Sequence, residues 1–490
     1  MKYRRIMEVL AGVLAAATLL SFSAACSVAW AQQAPKTPVG APVQPLAPIP
    51  QINDGNTPEG AIGDSTRQRD AQLAASAQAR PDTHLLSGME TLGLGSVHRL
   101  TRTFDPAVQI SEFGQTGIVP GATVSVSSLG GSIDIGEHRR RYDLTVAYRG
   151  AETIYRPYYY PGIHNTPYHD GGISAQIFLG RWSLQLRDDV LYSWGPSFGG
   201  LFAGGPAQPD QNNSLASIQP SLVSGGTIQT ALARQLSNTT LAEVDYARSR
   251  RTTWTLLGSY GLLRFLDPGY INSQTATFRV GYNYALSSKN NIALSYDRNR
   301  ITFLQNSGRL ETDLVQLGFG RKITGRLAFE VTAGPQLLHI NYFGSSNPNR
   351  LSWSASSSLT YAKARTSYSL SYFRGISAGS GVFFGNKVQT VTAGASRELT
   401  KFWSAAVNGG YAVNDALGSA GILATQFNDW FAGANLNRAI GRQFHLGLSY
   451  GFQQQTSGGG VCPVLTCGLA RPFAQYGATL QWHPLLVRDR

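Results

Sequence analysis

Residues 181–194 read Arg181-Trp182-Ser183-Leu184-Gln185-Leu186-Arg187-Asp188-Asp189-Val190-Leu191-Tyr192-Ser193-Trp194. Trp182, Leu184 and Leu186 fall on one parity, and Ser183, Gln185 and Arg187 on the other. A period of two with one apolar face is a half-buried β-strand. Alternation alone suits a soluble sandwich as well as a membrane barrel. The aromatics decide between them. Trp182 and Tyr192 share the apolar parity and stand about 33 Å apart at roughly 3.3 Å per residue. Tilted near 40°, that is about 25 Å of height, the apolar band between two aromatic girdles of an outer-membrane barrel. The other parity carries few of the large aliphatics that a sandwich core requires.

The same texture recurs along the chain. Phe444, Leu446, Leu448, Tyr450 and Phe452 alternate with His445, Gly447, Ser449 and Gly451. Tyr476, Ala478, Leu480 and Trp482 alternate with Gln475, Gly477, Thr479 and Gln481. Trp403 and Tyr411 repeat the aromatic spacing, as do Phe444 and Phe452. Trp182, Tyr192, Trp403, Tyr411, Phe444 and Trp482 are therefore candidates for the aromatic girdles. Composition agrees. Only 14% of the 490 residues are charged, against about 25% in soluble domains. The mean hydropathy of -0.14 is too polar for a bundle of membrane helices. After residue 31 no apolar run reaches the roughly 18 residues that a spanning helix needs. With 8 Trp, 22 Tyr and 21 Phe, the chain is also too aromatic to be disordered.

Lys2, Arg4 and Arg5 precede an apolar stretch that ends at Ala29-Trp30-Ala31, so residues 1–31 read as a secretory signal peptide, with a retained anchor as the alternative. Cys26 follows Ser23-Ala24-Ala25, a lipobox-like run with Ser where Leu is usual, which leaves lipidation at Cys26 as a second reading. Residues 32–95, with Pro35, Pro38, Pro42, Pro45, Pro48 and Pro50, form an extended periplasmic linker. Residues 96–490 are the barrel. Its Cys462 and Cys467 lie in a Gly-rich loop, and in an exported chain they most simply form a local disulfide.

Tight turns are expected near Glu137-His138, Gly180-Arg181, Ser237-Asn238, Lys289-Asn290, Thr324-Gly325, Lys363-Ala364, Thr400-Lys401 and Gly441-Arg442. Longer Gly/Pro/Asn-rich connections at 157–170, 194–224, 263–273, 305–310, 342–351, 378–386, 415–424 and 456–472 separate them. One strand before Gly114, over 97–113, and one at 473–483 bring the expectation to an antiparallel up-and-down barrel of 16 to 18 strands. An even count with both termini on one side suits a bacterial barrel.

The signal peptide, the short-turn/long-loop rhythm and the terminal aromatic strand resemble a Gram-negative outer-membrane β-barrel. Within that group the chain is most similar to the loosely defined barrel porins of exopolysaccharide-type loci and related uncharacterised proteins. The resemblance covers 96–483. It implies outer-membrane lipid and lipopolysaccharide, the barrel-insertion machinery and small hydrophilic solutes as partners. The chain departs from the usual ending, since Trp482 is followed by His483 to Arg490 where such barrels finish on an aromatic.

No catalytic, cofactor-binding or metal site is expected. His164, His169 and Asp170 share a loop as a weak acid–base or metal cluster, set against the plainer reading of a polar loop. Tyr158 to Tyr160 could stack on sugars or simply pack the loop base. The net charge is +13; export makes nucleic acid a poor partner, and Arg248, Arg250 and Arg251, placed high on one strand, could meet lipopolysaccharide phosphates. Parity turns Arg149, Arg187 and Arg279 inward, together with Asp143, Glu243, Asp245, Asp297 and Glu330. The result is a mixed wall with no clear ion preference. A barrel of this size leaves an aqueous lumen. The expected function is a porin-like channel for small hydrophilic solutes, with 194–224 as its inward-folded constriction. The alternative is a non-conducting structural, adhesive or exopolysaccharide-export-associated barrel.

Overall fold

The structure is a computed structural model, and it describes residues 101–119, 122–139, 141–156, 165–194, 228, 234–304, 308–342, 345–346, 349–417, 426–441, 443–458 and 472–484. The signal peptide, the 32–95 linker, Cys26, Tyr158 to Tyr160, His164, and Cys462 with Cys467 lie outside these residues.

Alternating sequence becomes antiparallel hairpins in chain order: β1 (Thr101–Val119), β2 (Ala122–Arg139), β3 (Tyr142–Arg156), β4 (Asn165–Leu179), β5 (Trp182–Trp194), β6 (Arg234–Ala247), β7 (Thr252–Phe265), β8 (Ser273–Ala285), β9 (Asn290–Phe303) and β10 (Arg309–Lys322). They continue as β11 (Leu327–Tyr342), the two-residue β12 (Ser345–Ser346), β13 (Arg350–Lys363), β14 (Thr366–Ser377), β15 (Asn386–Glu398), β16 (Trp403–Ala416), β17 (Gln426–Ile440), β18 (Phe444–Gly458) and β19 (Phe473–Trp482). β12 only extends the end of β11, through Asn341 and Tyr342. The other elements form a closed 18-strand up-and-down barrel, because β1 pairs with both β2 and β19. The closing seam has its own polar stitches. Thr479 donates to Ser111 at 3.2 Å, and His483 Nδ1 lies 2.9 Å from Asp105 Oδ1.

Three sequence expectations are corrected. The first strand does not stop before Gly114. It begins at Thr101 and continues through Gly114 to Val119. That glycine marks a close approach, since a Cβ there would stand 2.7 Å from the ring of Tyr476 on β19. The second correction concerns Ser237-Asn238, which is no turn but lies within β6. Asn238 spends its amide on Asp188 Oδ1 (3.0 Å) and on the carbonyl of Asp189 (3.2 Å). The real turn follows Ala247, where Ser249 exchanges backbone bonds with Thr252 and its hydroxyl accepts from the Arg251 N–H. Finally, Arg248, Arg250 and Arg251 therefore occupy a short turn, at the same end of the barrel as the last strand's terminus, and do not sit high on a strand.

Solvent exposure is inverted relative to a soluble fold. Leu317 is 65% exposed and Trp182 is 51% exposed, while Glu243 is 1% and Arg279 4% exposed. Register carries one apolar outer face around the sheet, for instance Trp254–Tyr282 from β7 to β8 and Tyr411–Trp430 from β16 to β17. Among the described residues, side chains from strands that are not neighbours meet on the opposite face, as in the cluster of Ile301 and Phe303 of β9 with Ile376 of β14, so that face is the concave one. This layout gives a test. Leu317→Arg, midway along β10 on the outer face, is expected to cost about 2–4 kcal/mol in lipid. Gln316→Arg, on the inner face, is expected to cost little. Urea unfolding in lipid vesicles measures both, and equal costs would contradict the assignment of faces.

Candidate functional site: the barrel interior

The inner face divides into two arcs below an apolar mouth. The first arc, β3 to β9, carries charge. Arg279 on β8 and Asp297 on β9 are register partners. They form a two-point ion pair, Nε–Oδ1 at 2.6 Å and Nη2–Oδ2 at 3.0 Å. Arg187 Nε lies 2.6 Å from Asp189 Oδ2, two residues along the same strand and so on the same face. Asp245 accepts from Thr255 (2.6 Å) and Ser183 (3.2 Å). Arg149 is the register partner of Asp170, and Glu243 of Gln185. Asp143 shares the parity of Arg149, and Glu330 on β11 shares that of Gln336. The sequence-derived candidates Arg149, Arg187, Glu243, Asp245, Arg279, Asp297 and Glu330 all belong to the inner face. Alternating charge along this arc leaves each guanidinium near a carboxylate, so it is a wall of local pairs.

The second arc, β15 to β19 and on to β1, is built of amides and hydroxyls. Asn386 Nδ2 donates to Asn414 Oδ1 at 2.8 Å. Gln453, Gln475, Gln481, Gln109 and Gln115 continue the wall and are buried. Among the described residues no Lys or Arg stands on this arc's inner face. Asp429, 1% exposed, was not recognised from sequence. Its neighbourhood, Phe427-Asn428-Asp429-Trp430-Phe431, puts aromatics on both parities, so alternation does not tell inside from outside there.

The mouth lies at the long-connection end. Ile301, Phe303, Leu310, Leu338 and Ile340 make its inner wall apolar. The connection 378–385 is what covers them. Its Ala378-Gly379-Ser380-Gly381-Val382-Phe383-Phe384-Gly385 sequence lets four residues take positive φ, namely Gly379, Ser380, Gly381 and Gly385. Glycine adopts that region at little cost, while Ser380 stores strain of about 1–3 kcal/mol. A tight turn forms as Val382 and Phe383 donate to the Gly379 carbonyl at 2.9 and 3.0 Å. The chain then reaches across the lumen. Ile271 N–H donates to the Gly381 carbonyl at 2.8 Å. A Cβ on Gly381 would lie 2.2 Å from the Phe265 ring. In the sheet β8, β9, β10, β11 and β13 stand between β7 and β14. Phe384 meets Phe303 edge-on at 5.3 Å, and Phe383 meets Phe427 at 5.4 Å. Phe265 stacks on Tyr270 at 4.6 Å. Burial first, and then Asp267, pushes the Tyr270 phenol up, so it stays neutral.

Among the described residues, 378–385 is thus the connection that folds over the inner wall at the mouth. Of the sequence candidate 194–224, Trp194 ends β5 and the remainder lies outside the described residues. Ile228, shortly beyond it, is fully buried against Phe383 and Phe427. The weak loop cluster dissolves. His169 and Asp170 are consecutive residues of β4, so they face opposite sides of the sheet. His169 Nδ1 lies 2.9 Å from the Tyr148 hydroxyl on the outer face, while Asp170 is buried inside. Among the described residues no group of three metal-ligating side chains comes together. The aromatic candidates Trp182, Tyr192, Trp403, Tyr411, Phe444 and Trp482 share the outer face. Trp182, Trp403 and Phe444 open their strands and Trp482 closes the last one.

No protein-family model and no curated protein sequence matches the chain. Among solved structures it is similar to OpdQ of Pseudomonas aeruginosa, at 8% identity over 78% of this chain and 99% of that one, with a TM-score of 0.39. It is also similar to OccAB4 of Acinetobacter baumannii, at 8% identity over 79% and 100%, TM-score 0.41. A BenF-like porin from Pseudomonas fluorescens Pf-5 aligns at 8% identity over 82% and 100%, TM-score 0.42. Likeness at this level says nothing of what this chain carries.

Proposed function

We propose that the protein is a porin-like channel of the bacterial outer membrane that passes small hydrophilic solutes by diffusion. The observation that carries this reading is the inside-out distribution of polarity in a closed 18-strand barrel. Apolar side chains clothe the outer face, and ion pairs, amides and hydroxyls line the inner one. A barrel of that size encloses an aqueous lumen, and the only work its wall performs is selection by width, hydrogen bonding and charge. Export through the signal peptide and insertion through the aromatic final strand Phe473–Trp482 belong to the same proposal. Lipopolysaccharide phosphates would find Arg298, Arg300 and Arg309 on the outer face near the long-connection rim. Their carboxylates there are Glu311 and Asp313, with Arg298 3.1 Å from Glu311.

A second reading draws on the mouth. Phe383 and Phe384 pack the inner wall closely enough that a non-conducting structural or export-associated barrel would look alike at this level. Proteoliposome swelling separates the two. A conduit admits small solutes in order of size, and the expected result is rapid swelling in isotonic glycine with slower swelling in larger solutes. Vesicles that stay rigid in every solute would favour the closed barrel.

A further inference from the structure

We infer that the amide arc is a binding track for neutral, polyhydroxylated solutes of short-oligosaccharide size; this rests on the conduit reading and adds to it a substrate class. The track runs along the inner face from Asp429 on β17 through Gln453 on β18 and Gln475 on β19 to Gln115 on β1. Register sets them on neighbouring strands: Asp429 pairs with Gln455, two residues from Gln453; Gln453 pairs with Phe473, two residues from Gln475; and Gln475 pairs with Gln115. All four polar side chains are nine-tenths or more buried. Both carboxylate oxygens of Asp429, the amide oxygens of Gln453 and Gln475, and both amide atoms of Gln115 have no hydrogen-bond partner. Buried polar atoms ordinarily find partners, so a row of unpartnered ones points to a ligand that supplies them.

The atoms left over describe that ligand. They are mostly acceptors, with one amide donor, spread over four adjacent strands, about 14 Å at the spacing of a sheet. A carboxamide both donates and accepts, as a sugar hydroxyl does. A carboxylate accepts from two hydroxyls at once. Aromatic rings interleave with these groups. A Cβ on Gly477 would fall 2.1 Å from the Phe113 ring, and one on Gly410 2.7 Å from the Phe431 ring. Both rings therefore pack over a glycine of the neighbouring strand, and aromatic rings beside hydroxyl-binding groups suit the C–H side of a sugar ring. Phe473 faces Gln453 in register and lies two residues before Gln475 on the same strand. No Lys or Arg stands on this inner arc among the described residues, which disfavours an anionic solute. One carboxylate among three carboxamides is too little charge for a track of cations.

The test is calorimetric titration of the full-length folded barrel in detergent with maltotriose, and with putrescine as a small organic cation. Maltotriose is expected to bind saturably. Gln115→Ala and Gln475→Ala are each expected to weaken it about fivefold to tenfold. Val391→Ala, on the outer face of β15, should leave binding intact. A heat-dependent gel shift shows for every variant that the barrel has folded. Should the substitutions prevent folding, protection of the intact barrel's amides by maltotriose, read by hydrogen exchange on β17, β18, β19 and β1, replaces them. Absence of maltotriose binding overturns the inference, as does binding of putrescine alone with loss in Asp429→Asn. A barrel that conducts but ignores maltotriose refutes this track and spares the channel; one that binds it but never conducts refutes the channel and spares the track.

Discussion

Excising residues 379–384 and joining Ala378 to Gly385 is expected to raise single-channel conductance about twofold or more, because pore cross-section governs passage. The excision removes Phe383 and Phe384 together with the Gly381 carbonyl that holds Ile271 at 2.8 Å. The same excision uncovers Phe303, Ile301, Leu310, Leu338 and Ile340, now packed against it. Wetting that surface lowers stability as well, since each buried aliphatic or aromatic side chain contributes about 1.5–3 kcal/mol. The variant should therefore conduct more and melt earlier. Unchanged conductance in a barrel that shows the folded gel shift would remove 378–385 from the permeation path.

Asp297→Ala is expected to cost about 3–5 kcal/mol of stability, the usual consequence of breaking a buried ion pair from one side. The guanidinium of Arg279 cannot shed its charge in compensation. Its side chain is 4% exposed and that of Asp297 is 7% exposed, so water does little to screen the loss. Urea unfolding midpoints measure the cost. The same substitution removes one negative charge from the wall and should move the reversal potential in a salt gradient toward anions. The paired change Arg279→Met with Asp297→Leu should restore most of the stability, because neither charge is then buried alone. A loss below about 1 kcal/mol for the single variant is the value of an exposed pair and would show the pair to be hydrated.

Much of the barrel is legible in the sequence where its faces differ sharply. Along β5, Trp182, Leu184 and Leu186 oppose Ser183, Gln185 and Arg187, and parity read from those residues places Arg187 inside. At the mouth the inner wall is itself apolar, with Phe303, Leu310, Leu338 and Phe427, because the 378–385 connection covers it. Parity loses its contrast there, and with it goes the means to see Asp429 or the covering connection. The Ser237-Asn238 misreading has a different cause. Asn is a turn residue by virtue of its side-chain hydrogen bonds, and in β6 those bonds go across the sheet, to Asp188. Gly114 misleads in a similar way: a glycine in a strand signals either an end or a close approach, and only the ring of Tyr476 on the last strand shows which. Both errors concern contacts between residues far apart in the chain, which local pattern does not carry.

The central claim, that this barrel encloses a conducting lumen, is tested most directly by current through single molecules of the full-length folded protein in a planar bilayer. Stepwise increments of conductance, blocked reversibly from one side by solutes that fit the lumen, are the expected result. A barrel that inserts, keeps its heat-dependent gel shift and passes no current would contradict it.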